Sequence, residues 1–299
     1  MFAGLARVFG RLDDAVGDAA KAAAGHLTGT GNRLRGTVTR LEHADAAAGH
    51  SIGRLSGTGP LPGMDRSGRF HRFRAEDVVS APLKDRDGKT VGVTFPSRRG
   101  DVGSKQRWTR ADFRSGDKVH YPFWRTNPGA TKPKWAFGRR RQSPWADGAE
   151  NRNPVYVHAH ADNRTFYVKV KTGRWSKKTV QIDGHTYGEV LADNQHLERA
   201  FAAHPDSPIV LLSCSPAKSG GSAAADLADH LHTRGGLSST DIYAAKGDVM
   251  TRTSLDKGEK SSLMGVEVDP AVGDSADSLW DVYRAPGTRH TPRVTGEST

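Results

Sequence analysis

The chain has 299 residues, a single cysteine and a formal net charge of +11. One cysteine excludes an intramolecular disulfide framework and a zinc site built from several thiolates. No run of about 18 uncharged apolar residues occurs, so no membrane span is expected, and the first twelve residues lack the pattern of a secretory signal. We therefore expect a protein that is cytoplasmic when synthesised, with non-classical secretion as an alternative.

The charge is distributed unevenly along the chain. Residues 1–150 hold 27 Lys and Arg against 15 Asp and Glu, whereas residues 151–299 hold 17 against 18. This asymmetry predicts a boundary near residue 150. We expect four segments: an N-terminal amphipathic helix and flexible Gly/Ala-rich linker (1–68), a basic aromatic β-rich extension (69–150), an α/β domain (151–285) and a disordered tail (286–299).

In the first half, an apolar stripe within residues 2–24 predicts a short amphipathic helix, and the Gly- and Ala-rich composition that follows predicts a linker. Two apolar stretches flank an Asp-Gly pair within 78–95 and indicate a β-hairpin. The basic, aromatic stretch 96–150 contains several prolines, so we expect few long regular elements there.

After residue 150, short apolar strands alternate with amphipathic helices. Strands are predicted at 154–157, 165–170, 208–212 and 242–245, with helices over 187–201 and 224–231. The run 208–212 is apolar throughout, as expected of a strand buried on both faces. This order predicts an α/β fold with a mostly parallel sheet flanked by helices.

The residues most suggestive of chemistry are His160 and Cys214, because each follows an apolar strand. The carboxyl ends of parallel strands meet at one edge of a sheet, so we expect the imidazole and the thiol on a common rim. A thiolate is a nucleophile, and a nearby imidazole acts as its general base and acid. His158 lies two residues before His160, on the same face of a strand, and is an alternative base or an orienting group.

Backbone N–H groups of Ala161, Cys214 and Ser215 are candidates for an oxyanion hole. A cysteine after an apolar strand is also commonly a small buried side chain with no catalytic role.

Residues 154–160 and 209–214 resemble the caspase-like cysteine peptidases, including the self-processing peptidase domains of large bacterial toxins. The Leu-Leu-Ser-Cys-Ser turn and the following Gly-rich segment are also similar to modules of large actinobacterial toxin-like proteins. The resemblance covers about residues 150–250. It implies a caspase-like α/β fold, with Cys214 as nucleophile and His160 as general base. The family has glycine after the catalytic histidine, where this chain has Ala161, so a catalytically inactive binding module is an alternative.

Two other classes of function compete with this interpretation. His158, His160 and Asp162 match most of the His-x-His-x-Asp-His motif of metallo-β-lactamase-like zinc hydrolases, with Asn163 in its last position. Separately, the basic residues of 96–150 are candidates for binding a polyanion, a nucleic acid or an acidic partner. The residues concerned are Lys132, Lys134, Arg139, Arg140 and Arg141.

The sequence as a whole predicts a cysteine-dependent peptidase that hydrolyses peptide bonds through a thioester intermediate and needs no cofactor. Its substrate is a polypeptide, and its own flexible linker is a candidate substrate.

Overall fold

The computed structural model describes residues 59–111, 119–127, 131–146, 154–203, 207–256, 259–268 and 279–286. The predicted helix within 2–24, most of the predicted linker and nearly all of the predicted tail lie outside these residues. The chain divides into the units Met1–Gly59 and Pro60–Thr299, and every helix and strand below belongs to the second unit.

The described part of the chain contains short strands and four α-helices. The strands are β1 (Leu61–Asp65), β2 (Phe70–Phe73), β3 (Ala81–Lys84), β4 (Thr90–Phe95), β5 (Val119–Arg125), β6 (Trp135–Phe137), β7 (Arg141–Gln142), β8 (Val155–Ala161), β9 (Phe166–Lys171), β10 (Lys177–Ile182), β11 (Ile209–Leu211), β12 (Ile242–Ala245), β13 (Val249–Asp256), β14 (Glu259–Glu267) and β15 (Trp280–Tyr283). The helices are α1 (Asp101–Arg110), α2 (Gly184–Ala192), α3 (Gln195–Ala203) and α4 (Ala223–Thr233).

The larger sheet has ten strands, and its centre is parallel. Strand β8 pairs in parallel with β4 on one side and with β11 on the other, and β11 pairs in parallel with β12. The remaining pairings, which involve β1, β2, β3, β9, β10 and β15, are antiparallel. The prediction of a mostly parallel, caspase-like sheet is therefore wrong. Short turns join β1 to β2, β3 to β4 and β9 to β10, and a short turn reverses the chain direction, whereas a parallel pair needs a long crossover.

The central strands alternate between two hydrophobic cores. In β11, Ile209 and Leu211 face one core, whereas Val210 and the following Leu212 face the other. The first core lies under helices α2, α3 and α4. The second core joins the larger sheet to α1 and to strands β13 and β14. The apolar run around β11 is thus buried on both faces, as its sequence predicted.

The second face of the larger sheet is covered mainly by another sheet. This smaller sheet has five strands in the order β13-β14-β5-β6, with β7 paired to β5, and it is also mixed, since β14 and β5 run parallel. The prediction of a sheet flanked by helices thus fails on this face, where α1 is the only α-helix among the described residues. Strands from both sides of residue 150 take part in each sheet. No helix in the described ranges is long and apolar enough to cross a membrane.

Two local predictions differ from the structure. The predicted helix over 187–201 is two helices, because the Asn194 side chain accepts the backbone N–H groups of His196 and Leu197 and so starts α3 afresh. Helix α1 lies within 96–150, where we expected few long regular elements. The hairpin predicted within 78–95 is confirmed as the antiparallel pair of β3 and β4.

A close approach of helices allows a stability test. Gly184 starts α2, and a methyl group there would overlap the backbone of Ala223 and Leu227 in and near the first turn of α4. Backbone atoms cannot rotate away, so we expect Gly184→Ala to lower the free energy of unfolding by about 1–3 kcal/mol in urea denaturation. Gly103→Ala in α1 is the matched control, because its new methyl meets only the Arg107 guanidinium, at 3.4 Å. Equal losses in both variants would contradict this packing.

The buried ring of His120 predicts a pH-dependent stability. Its side chain is 1% exposed, and neither ring nitrogen has a hydrogen-bond partner among the described residues. Burial, and secondly the charge of Arg141, lower the pKa of His120 to about 4. Between pH 6.5 and 4 the unfolded chain therefore takes up a proton that the native protein does not, and the free energy of unfolding falls by up to about 3 kcal/mol.

The measurement is urea denaturation of the wild type and of His120→Phe from pH 7 to pH 4. Burial also lowers the pKa values of His158 and His196, so both proteins lose stability in acid. We expect the loss to be smaller in the variant. Parallel curves for the two proteins would show that His120 does not titrate with a lowered pKa.

Candidate functional site

The carboxyl ends of the four parallel strands bring separate parts of the sequence to one edge of the larger sheet. Strand β4 leads into the loop before α1. Strand β8 carries His158 and His160 near its carboxyl end, and Cys214 follows β11. Strands β8 and β11 are in direct register, with Val157 beside Leu211. The structure thus places the predicted histidines and the predicted thiol on neighbouring strand ends, as the parallel connection led us to expect.

Asp101 holds the ring of His160. It is the first residue of α1, and its Oδ2 accepts the backbone N–H groups of Ser97 at 3.0 Å and Arg98 at 2.8 Å. Both carboxylate oxygens lie 3.3 Å from Nε2 of His160. The loop amides fix the carboxylate, and the carboxylate in turn orients the imidazole. In the neutral ring with a proton on Nε2, the lone pair is on Nδ1, which is then the proton acceptor.

His158 has a different environment from His160. It is 3% exposed, and its Nδ1 lies 2.7 Å from Oγ1 of Thr94 on the neighbouring strand β4. Burial, with the nearby charges of Lys105 and His160, holds the pKa of His158 well below its ordinary value. The side chain of His160 is 23% exposed. Of the two histidines that the sequence left as alternatives, His160 is the one that solvent and a substrate can reach.

The turn that carries Cys214 is pinned to the segment that follows β12. The N–H of Ser215 donates to the carbonyl of Gly247 at 3.0 Å, and the Ser215 hydroxyl donates to Asp248 at 2.7 Å. The N–H of Val249 donates to the sulfur of Cys214. The residue is half-buried, so Cys214 remains partly accessible to solvent.

Ser215 adopts a left-handed backbone conformation, with φ of 55°, and it is the only residue other than glycine to do so in the described ranges. For such a residue this conformation costs about 1–2 kcal/mol. The contacts of Ser215 with Gly247 and Asp248 hold it there. Strain of this kind concentrates at functional turns, and here it falls on the residue directly after the candidate nucleophile.

Charges around Cys214 act in opposite directions on its thiol. Burial and the neighbouring Asp248 carboxylate raise the pKa of Cys214, while the Val249 N–H and the cations Lys105 and Arg98 lower it. The raising causes dominate. At neutral pH the resting group is therefore the thiol, and any reaction through the thiolate would need a base to remove its proton.

The sequence analysis did not identify Lys105, which the structure adds to the site. It lies one helical turn after Asp101 on α1, and its Nζ donates to Oγ1 of Thr251 in β13 at 2.7 Å. Burial lowers the pKa of Lys105, whereas Cys214 in its thiolate form and the Asp101 carboxylate raise it. The spacing of Asp101 and Lys105 was the only available signal, and α1 lacks the apolar periodicity that would have revealed a helix.

Two of the predicted oxyanion-hole donors, Ser215 and Ala161, can be located within the fold. The N–H of Ser215 is committed to Gly247, so it is not free to receive an oxyanion. Ala161 lies in β8 opposite Phe166. Its φ is negative, so alanine adopts this conformation without the cost that a position requiring glycine would impose.

The zinc alternative receives little support from the geometry. The Asp162 carboxylate accepts the backbone N–H groups of Arg164 and Thr165 and the hydroxyl of Tyr167 at 2.8 Å. Nδ1 of His158 is engaged by Thr94. In the described part of the chain, no three His, Cys, Asp or Glu side chains form a group that could hold a metal ion.

The basic residues proposed for polyanion binding lie on and beside the smaller sheet. Lys132 and Lys134 precede β6 and are exposed, and Arg139, Arg140 and Arg141 lie between β6 and the start of β7. Arginine side chains also stack on aromatic rings of this sheet, with Arg125 5.3 Å from the centre of Trp135. These residues are separate in the fold from the strand ends that carry Cys214.

Comparison with known proteins identifies no relative: no protein-family model, no curated protein and no solved structure matches this chain.

The charge of Asp248 can be tested directly on the thiol. Because this carboxylate raises the pKa of Cys214, we expect Asp248→Asn, which keeps an acceptor for the Ser215 hydroxyl, to lower that pKa. Alkylation by iodoacetamide at pH 7.5 should then be about threefold to tenfold faster than in the wild type. At a pH below the pKa of the thiol, the thiolate fraction increases about tenfold for each unit by which that pKa falls. Asp229→Asn, on α4, is the control. An unchanged or slower alkylation in Asp248→Asn would contradict this electrostatic environment.

Proposed function

We propose that the chain is a cysteine-dependent peptidase in which Cys214 is the nucleophile and His160 is the general base and acid. The observation that carries the proposal is that Cys214 and an Asp101-bound His160 lie at the carboxyl ends of adjacent parallel strands. A nucleophile, a base and a group that orients the base are the three parts that acyl transfer by a side chain requires.

The first half of the reaction forms a thioester. As the sulfur of Cys214 attacks the carbonyl carbon of the scissile peptide, its proton passes to the imidazole of His160. The C–N bond then breaks, and the same proton goes to the leaving amine, so that His160 is neutral again. Asp101 stabilises the imidazolium that exists between these two transfers.

The second half regenerates the enzyme. His160 takes a proton from a water molecule as the water oxygen attacks the thioester carbonyl. The C–S bond breaks, the carboxylic acid leaves, and the proton returns to the sulfur of Cys214. The reaction consumes one water and requires no cofactor. The half-buried position of the thiol is suited to these steps, because a substrate can reach the sulfur while the surroundings limit access of bulk water.

The resemblance of residues 154–160 and 209–214 to caspase-like cysteine peptidases, including those of bacterial toxins, supports the same assignment of roles. The ordinary strand conformation of Ala161 favours an active site over an inactive descendant, because the replacement of the family's glycine does not distort β8. A polypeptide is the substrate class, and the chain's own segment before residue 60 is one candidate.

The test is cleavage of a diverse peptide mixture, and of the chain itself, followed by mass spectrometry between pH 6 and 9. We expect Cys214→Ala to abolish cleavage and His160→Gln to reduce it by about 10²-fold or more. Asp101→Asn should also reduce it, because an amide can hold the ring but cannot balance its positive charge. His232→Gln, at the far end of α4, is the control and should cleave as the wild type does.

Cleavage that survives Cys214→Ala would overturn the proposal, as would a wild type that cleaves nothing across this pH range while its thiol remains reduced. The second outcome would assign the edge of the sheet to binding alone.

A further inference from the structure

We propose that Lys105 is a positioning residue of this site, whose ammonium group balances the negative charge that develops on Cys214 as the thiolate forms. The inference rests on the proposed role of Cys214 as nucleophile. It adds to the Cys–His pair a cation that comes from α1, an element that the sequence did not predict.

The position of Lys105 is fixed from two sides. Its backbone belongs to α1, one turn beyond the Asp101 that holds His160. Its Nζ is anchored on the smaller sheet by the hydroxyl of Thr251, at 2.7 Å. The lysine side chain therefore runs from the helix to β13, within electrostatic reach of Cys214, and it cannot turn out to solvent without losing this hydrogen bond.

The charges that surround Lys105 and the thiol account for its role. Asp101 and Cys214 lie around Lys105, and the neutral ring of His158 on strand β8 is also nearby. Around Cys214 are the Asp248 carboxylate, which opposes ionisation, and the Lys105 and Arg98 cations, which favour it. A half-buried charge acts more strongly than an exposed one, because less water screens it. Lys105 is thus placed to offset Asp248.

This arrangement divides the work of the site between a base and a fixed cation. His160 moves the proton, because Asp101 orients its ring and an imidazole can both accept and donate a proton. Lys105 keeps its proton and supplies a fixed positive charge. Such a preformed charge needs no reorganisation when the thiolate forms, which is why it lowers the cost of ionisation.

The experiment measures iodoacetamide alkylation of the full chain from pH 6 to pH 10. Cys214 is the only cysteine, so the rate reports on this thiol alone. We expect Lys105→Met, which keeps the length but removes the charge, to raise the pKa of Cys214 and to slow alkylation at pH 8 about threefold to tenfold. Lys105→Arg should restore most of the rate. Lys89→Met, in the exposed turn between β3 and β4, is the matched control and should leave the profile unchanged.

A Lys105→Met protein that retains its circular dichroism spectrum and alkylates with the wild-type profile would overturn the inference. So would a slowed rate that Lys105→Arg does not restore, since that result assigns Lys105 to packing rather than to charge.

A reciprocal measurement covers the case in which Lys105→Met does not fold. In ¹³C-lysine NMR, with the Lys105 signal assigned from Lys105→Arg, we expect this signal to respond to the ionisation of Cys214 in the wild type and to lose that response in Cys214→Ser. An identical titration in both proteins would overturn the inference. Both measurements are independent of cleavage, so a failure of the peptidase proposal is distinguishable from a failure of this one.

Discussion

The position of β8 between two parallel neighbours is the constraint on which the rest of the site depends. Because β4 and β11 run in the same direction as β8, the segments that follow these strands are all delivered to one edge of the sheet. Asp101 arrives after β4, His160 on β8 and Cys214 after β11. A reversal of either neighbour would send the segment that follows it to the opposite edge of the sheet.

The buried faces of the central strands make this arrangement rigid. Residues of β11 pack alternately under the helical layer and against the smaller sheet, so buried apolar contacts hold the strand on both of its faces. The smaller sheet has a second role as well. Its strand β13 supplies Val249, whose N–H donates to the thiol, and Thr251, which anchors Lys105. The site is therefore completed by both sheets.

The electrostatic balance at the thiol follows from the same geometry. Desolvation and Asp248 favour the neutral thiol, and Lys105 and Arg98 favour the thiolate. A group balanced in this way is unreactive at rest and ionises when a base is presented to it. The loop amides fix the Asp101 carboxylate, which in turn contacts the ring of His160, the candidate base.

The sequence alone determined the local features that depend on short-range patterns. The hairpin of β3 and β4, the doubly buried β11, the helix α4 and the strand-end positions of His160 and Cys214 all follow from apolar periodicity and turn residues within about a dozen positions. Only the tertiary structure decided the extent of the mixed sheet, because the pairing of β1 with β10 and of β12 with β15 depends on contacts between distant segments. It also decided the partners of the site. Asp101 and Lys105 lie on a helix with little apolar periodicity. This helix is stabilised by packing against strands that are distant in the sequence, so no local sequence pattern predicts it.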